Sequence, residues 1–203
     1  MFIYFDMGNV LLLFDHERGC RQIAEVAGTS TEEVRRVLFD TGLELRYEAG
    51  ELSTREFYEA FCEQTGTRPD YQAMLRAAGD IFTVNASILP VVAALHAAGY
   101  RLGLLSNTCE AHWVFIQQHR FSVTSTMFDV IALSYEVRAM KPDRRIFEAA
   151  AEKAGVAPAE IFFTDDIAGH VAGARAAGFD AEQYTTTPEL VRQLRKRGLK
   201  FNY

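Results

Sequence analysis

The chain has 203 residues, 49% of them hydrophobic, and a formal net charge of −6. That length suits one domain plus a modest insertion, and an acidic chain without a long Lys/Arg run offers no surface for nucleic acid. Three scattered cysteines, Cys20, Cys62 and Cys109, argue against a disulfide framework. The first element is an apolar run, Phe2-Ile3-Tyr4-Phe5, ended by Asp6 and followed at once by the turn Met7-Gly8-Asn9. This reads as a buried strand that delivers Asp6 to the end of a sheet, where open α/β sheets place their chemistry. No basic stretch precedes it and Asp6 breaks its apolar character. We therefore expect no signal peptide, no membrane span and a cytoplasmic location.

Residues 16–85 have a different texture, with no strand-like run. Ser30-Thr31-Glu32-Glu33 and Ser53-Thr54-Arg55-Glu56 have capping-box spacing, and each precedes a helical pattern of apolar residues. Gly28, Gly42, Gly50 and Gly66 punctuate the region. It reads as a small all-helical insertion lying over the sheet end that carries Asp6. Arg46, Tyr47 and Glu48 are its candidate cleft-lining residues, and they serve equally well as part of its own core.

From Ile88 onward helix and strand alternate. Helices are expected at 90–96, 144–154 and 171–177, each stopped by a following glycine (Gly99, Gly155, Gly178). Strands are expected at 100–105, 128–133 and 161–164. Thr187 and Pro188 are placed as N-cap and first residue of a last helix. Its basic stretch, 192–197, reads as a solvated face. The order implies βαβ units, hence an α/β fold with a parallel sheet.

Three further strand-like runs end in residues able to act on phosphate: Ser106-Asn107, Lys141-Pro142-Asp143 and Asp165-Asp166. Asp6 can serve as a nucleophile or cap a turn. Ser106 and Asn107 can hold phosphate oxygens or cap the next helix. Lys141, kept out of a helix by Pro142, can supply a fixed positive charge or sit exposed in a loop. Asp165 and Asp166 can hold a hard cation or enrich a helix N-terminus in acid. His112 and Trp113 follow closely enough on Ser106 to face the same cleft.

The four segments, in this order, resemble the ordered motifs of the haloacid dehalogenase-like hydrolase superfamily, and the resemblance spans the whole chain. The segments Phe5-Asp6-Met7-Gly8-Asn9-Val10, Leu105-Ser106-Asn107-Thr108, 141–147 and 163–166 are most similar to a branch of sugar-phosphate phosphatases near bacterial α-glucose-1-phosphate phosphatase. The phosphatase domain of soluble epoxide hydrolase is a more distant likeness. The resemblance implies a Rossmann-like three-layer parallel-sheet core (1–15 and 86–203) with an all-α cap (16–85) inserted after the first strand. It implies Mg²⁺-dependent hydrolysis of a small phosphomonoester, such as a sugar 1-phosphate, through an aspartyl-phosphate, by a monomer or homodimer. Asp6 is then the nucleophile, and Asp6, Asp166, the Gly8 carbonyl and Asp165 are the metal-holding groups. Ser106, Asn107 and Lys141 hold the phosphate.

The chain departs from the family pattern at Gly8, where many members carry the aspartate that protonates the leaving oxygen. Asp15 and His16 are near enough in sequence to substitute, and Asp15 can instead cap a helix. His170 stands where an asparagine is common. A haloacid dehalogenase and a non-catalytic phosphate-binding protein are the competing functions.

Overall fold

The computed structural model describes residues 1–118 and 127–203. Strand β1 (Phe2–Phe5) is central in a five-stranded sheet. Its other strands are β4 (Arg101–Ser106), β5 (Val130–Leu133), β6 (Ile161–Asp165) and β7 (Asp180–Gln183), in the order β5-β4-β1-β6-β7. Every pairing is parallel, with Phe2 opposite both Arg101 and Ile161. Side chains alternate across a strand, so β1 feeds two cores. Ile3 and Phe5 pack with Leu102, Leu104 and Phe162 against Val91, Val92, Leu190 and Leu194. Phe2 and Tyr4 pack with Ile161 and Phe163 against Ile146, Phe147, Val171 and Ala174 on the other face. Both faces are covered, which is why the strands read as continuous apolar runs. Gly103 lies directly opposite Tyr4, where a Cβ would come within 2.4 Å of the tyrosine ring.

The insertion holds five α-helices, His16–Ala27, Thr31–Arg35, Leu43–Glu48, Thr54–Thr65 and Tyr71–Gly79, with a π-helical segment, Arg36–Asp40, extending the second. Ser53 and Glu56 form the reciprocal capping box expected of them, whereas Ser30 accepts a bond from the Glu33 N–H without the return bond. The helices enclose a third core of Val34, Val37, Tyr47, Phe57, Phe61 and Met74. It is closed by Cys109 and Ala111 at the start of the helix Glu110–Gln118.

The region is not wholly without strands. Phe82–Val84 forms β3, antiparallel to β2 (Leu12–Phe14), with Phe14 opposite Phe82. Three residues give too short a period-2 signal to read, and the partner is remote in sequence.

The later helices fall close to expectation: Leu89–Ala97, Arg144–Ala154, Ala168–Ala176 and Thr187–Lys196. Two details differ. The last helix is capped by Thr186, which accepts from the Glu189 N–H, so Thr187 is already helical. Its basic face is not all solvated, because Arg197 pairs with Asp180 and Glu182 on β7. No described helix is long and apolar enough to cross a membrane.

Candidate active site

Asp6 leaves β1 at the C-terminal end of the sheet and is only 6% exposed. Its backbone N–H donates to the Thr164 carbonyl at 2.9 Å, continuing the β1–β6 ladder one residue past the strand. Its Oδ1 accepts from the Met7 N–H at 2.7 Å and lies 2.8 Å from Lys141 Nζ. Among the described residues Oδ2 has no hydrogen-bond partner. Lys141 Nζ also reaches Asp165 Oδ2 at 2.6 Å, so one buried ammonium bridges the carboxylates at the ends of two adjacent strands.

The charges tune one another. Burial pushes the Asp6 carboxyl up to about 6, against the opposing pull of Lys141. Burial also disfavours the charged form of Lys141, but Asp6 and Asp165 outweigh it and its pKa ends raised. For Asp165 burial raises, yet hydrogen bonds from His170 and Lys141 win and hold it below the usual range. His170 Nδ1 lies 3.1 Å from both Asp165 oxygens, and Oδ1 also accepts from the Ile167 N–H at 2.8 Å. The histidine thus supports Asp165 as a hydrogen-bonding neighbour.

Asn107 holds the lysine loop. Its Nδ2 donates to the Lys141 carbonyl at 3.0 Å and its Oδ1 accepts from the Lys141 N–H at 2.8 Å. The side chain read as phosphate-holding is therefore largely occupied in fixing Lys141, and one amide hydrogen is left over. From the far side the helix Ala168–Ala176 presses on the same loop at Gly173, where a Cβ would stand 2.7 Å from the Pro142 carbonyl oxygen. Ser106 is buried beside Asn107, and its hydroxyl donates to the Asn107 carbonyl at 3.2 Å.

The opposite wall comes from the insertion. A cavity of about 70 Å³ lies above Gly8 and Asn107, lined also by His16, Glu48 and His112. Asp15 does not line it. Its Oδ1 instead accepts from the Arg18 N–H at 2.9 Å as N-cap of His16–Ala27, and its side chain is 55% exposed beside Arg21. Of the two readings open to Asp15, stand-in for the acid missing at Gly8 or helix cap, the structure shows the cap. A Cβ on Gly8 would lie 2.9 Å from Phe14 Cε1, so that ring fills the space beside the glycine.

Of the three insertion residues flagged in sequence, the structure separates the roles. Arg46 pairs with Glu51 on the surface, and Tyr47 is 1% exposed and stacked on Phe57. Only Glu48 reaches the cavity. Burial raises its carboxyl to about 7, opposed by Lys141 and aided by Asp6. Behind it Glu44, pushed up to about 8 by burial and by Glu48, faces His112 across 3.8 Å. Burial pushes His112 down to about 4. Trp113 packs at the edge of the core instead. Sequence reasoning placed Glu48 among the candidates; only the fold of the Leu43–Glu48 helix picks it out.

Asp6, Asp165 and Asp166 each bring a carboxylate oxygen within 4.8 Å of the others. Asp166 Oδ2 accepts from Asn9 Nδ2 at 3.0 Å. This all-oxygen donor set suits a hard divalent cation such as Mg²⁺.

The sequence pattern of the haloacid dehalogenase-like hydrolases matches residues 3–178. Phosphatase MT3486 of Mycobacterium tuberculosis is 26% identical over 194 residues, 88% of this chain and 84% of its own. A haloacid dehalogenase family enzyme of Bacteroides thetaiotaomicron, BT-2542, solved with magnesium and inorganic phosphate, superposes with a TM-score of 0.79. It is 25% identical, over 92% of this chain and 94% of its own. L-2-haloacid dehalogenase from Xanthobacter autotrophicus shares the fold with a TM-score of 0.63 at 22% identity, over 96% and 82%.

Proposed function

Because the chain belongs to the haloacid dehalogenase-like hydrolases, we propose that this hydrolase is a Mg²⁺-dependent phosphatase of small phosphomonoesters. The observation that carries the reading is the convergence of Asp6, Lys141, Asp165 and Asp166 at the C-terminal end of the sheet, with Lys141 Nζ bridging two of the carboxylates. A relative that is a phosphatase and another that binds magnesium and phosphate support it.

In this reading Asp6 attacks phosphorus and forms an aspartyl-phosphate, which water then hydrolyses. Lys141, held by Asn107 and Asp165, faces the transferred group with a fixed positive charge that need not reorganise during the reaction. Ser106 and the remaining Asn107 amide hydrogen contribute donors to the phosphate oxygens. Asp6, Asp166, Asp165 and the Gly8 carbonyl would hold Mg²⁺, which when bound offsets the charge repulsion between a carboxylate and a phosphate dianion.

A sugar 1-phosphate is the proposed substrate, since Gly8 leaves the sheet side of the site without an acid of its own. A sugar 1-phosphate has an anomeric leaving oxygen, which is less basic than an ordinary alkoxide and needs less help from an acid. The cavity of about 70 Å³ is far below the roughly 300 Å³ and more of a typical small-molecule site.

Phosphate release from sugar 1-phosphates, sugar 6-phosphates and an aryl phosphate, with Mg²⁺ and with excess chelator, tests this. We expect release that depends on Mg²⁺ and falls to background in Asp6→Asn, whose amide keeps the shape but is a poor nucleophile. Full activity in chelator, or chloride release from a 2-haloacid, overturns the phosphatase reading. Phosphate binding without turnover of any ester leaves a binding protein.

A further inference from the structure

We propose that Glu48, reaching over from the inserted helix Leu43–Glu48, is the proton donor to the leaving oxygen, the role for which Gly8 has no side chain. The proposal rests on the phosphatase reading above. Three observations carry it. First, the usual place for the acid is closed: the Phe14 ring stands 2.9 Å from where a Cβ on Gly8 would be. Second, the other nearby groups are engaged elsewhere. Asp15 caps its helix in the open. His16 is wedged edge-on between the Phe14 and Phe39 rings, and His112 faces Glu44 across 3.8 Å. Third, Glu48 shares the cavity with Gly8 and Asn107, and its carboxyl has no hydrogen-bond or ion-pair partner among the described residues.

Its backbone is anchored to the sheet side of the site. The Ser134 hydroxyl, at the C-terminal end of β5, lies 2.7 Å from the Glu48 carbonyl and 3.0 Å from the Thr108 carbonyl. Two residues on, Gly50 packs so closely on the Tyr135 carbonyl that a Cβ would lie 2.3 Å from that oxygen. Tyr47, the preceding residue, accepts from the Ala111 N–H at 2.9 Å through its hydroxyl. A carboxyl with no partner of its own, carried on a segment held at three points, is a placed group and not a loose surface acid. Its burial retains the proton near neutrality, which supports the assignment.

The proton balance closes over two steps. As an Asp6 oxygen bonds to phosphorus and the bond to the leaving oxygen breaks, the Glu48 proton passes to that oxygen and the alcohol departs. The Glu48 carboxylate then takes a proton from the water that attacks the aspartyl-phosphate. The phosphorus bond to Asp6 breaks, phosphate leaves, and both carboxyl groups return to their starting states.

The test compares leaving groups. With Mg²⁺ present, kcat/KM is measured for an alkyl phosphate, a sugar 6-phosphate, an aryl phosphate and acetyl phosphate on wild type, Glu48→Gln and Glu48→Asp. Glu48→Gln is expected to lower the alkyl and sugar 6-phosphate rates by about 10²- to 10⁴-fold. The aryl and acyl rates should fall by less than about tenfold, since those leaving groups need little protonation. Glu48→Asp should recover part of the loss, and a thermal melt checks that both variants fold. An equal loss on all four substrates would make Glu48 a binding or structural residue, and no loss would place the acid elsewhere; either result overturns the proposal. If wild type hydrolyses none of the four and no sugar 1-phosphate either, the phosphatase reading falls and takes this one with it.

Discussion

The two walls of the site are built on opposite principles. On the sheet side every charge is answered: Lys141 by Asp6 and Asp165, Asp165 also by His170 and the Ile167 N–H, and the Lys141 backbone by Asn107. On the insertion side Glu44 and Glu48 are carboxyls without a cation within ion-pair distance among the described residues, apart from the His112 ring that burial keeps neutral. The first wall holds its carboxylates against a shared cation. In the second, burial shifts the carboxyls toward their protonated forms. A reaction that needs a nucleophile on one side and a proton on the other draws on that division.

The largest effect should come from removing the charge that holds the first wall together. Lys141→Met leaves Asp6 and Asp165 buried with no cation between them, and breaking a buried pair in this way costs about 3–5 kcal/mol. We expect that loss in the denaturant midpoint without metal, with activity at background. A stability within about 1 kcal/mol of wild type would mean that the carboxylates do not depend on the lysine.

The join between the walls comes next. Gly50 has φ 69° and abuts the Tyr135 carbonyl, so Gly50→Ala meets both a strained backbone and a clash. Overpacking of this kind costs about 1–3 kcal/mol. The alanine should lower the melting temperature and also kcat/KM, although no reacting group is touched, because it shifts the backbone of Glu48. A lowered melting temperature with unchanged kcat/KM would show that the two walls need not keep register.

The smallest effect concerns the second wall alone. Glu44 titrates near 4.5 when unfolded and near 8 when folded, so between these values the folded state holds more of its proton. Stability is fully present at low pH and declines as pH rises through that window, by at most about 1.4 kcal/mol per unit. His112 acts with the opposite sign, between about 4 and 6.5. The Glu44 decline is therefore clearest from pH 6.5 to 8, and up to about pH 7 Glu48 adds to it with the same sign. Glu44→Gln should flatten the fall in denaturant midpoint over that range. An unchanged slope would show that Glu44 is ionised in the folded protein.

What could be read in advance follows contact distance along the chain. The strand delivering Asp6, the helix caps at Ser53 and Gly155, and the order of the βαβ units are written in contiguous residues, and the fold follows them. The candidate side chains come together because parallel strands bring their C-terminal ends to one edge, so residues named at those ends meet in one place. What could not be read depends on pairs remote in sequence. Asn107 clamps a loop 34 residues away, Phe14 leans on Gly8, and β3 exists because β2 stands beside it. In sequence Asp15 is a candidate stand-in acid and Glu48 a candidate cleft-lining residue. One N-cap bond and one helix orientation separate them.

The β2–β3 ribbon has a consequence for inheritance. Leu12 stands opposite Val84 and Phe14 opposite Phe82, so the chain leaves for the five-helix excursion and returns from it at neighbouring points. Its ends are held together by the ribbon, and closing a loop depends only weakly on how much chain lies inside it. Helices between Phe14 and Phe82 can lengthen, shorten or be exchanged without shifting the register of the strand that carries Asp6. Selection can therefore rework much of the insertion while the strand that carries Asp6 stays in register, provided that the segment bearing Glu48 keeps its anchors at Ser134 and Tyr135, and the ribbon is the seam along which that change is contained.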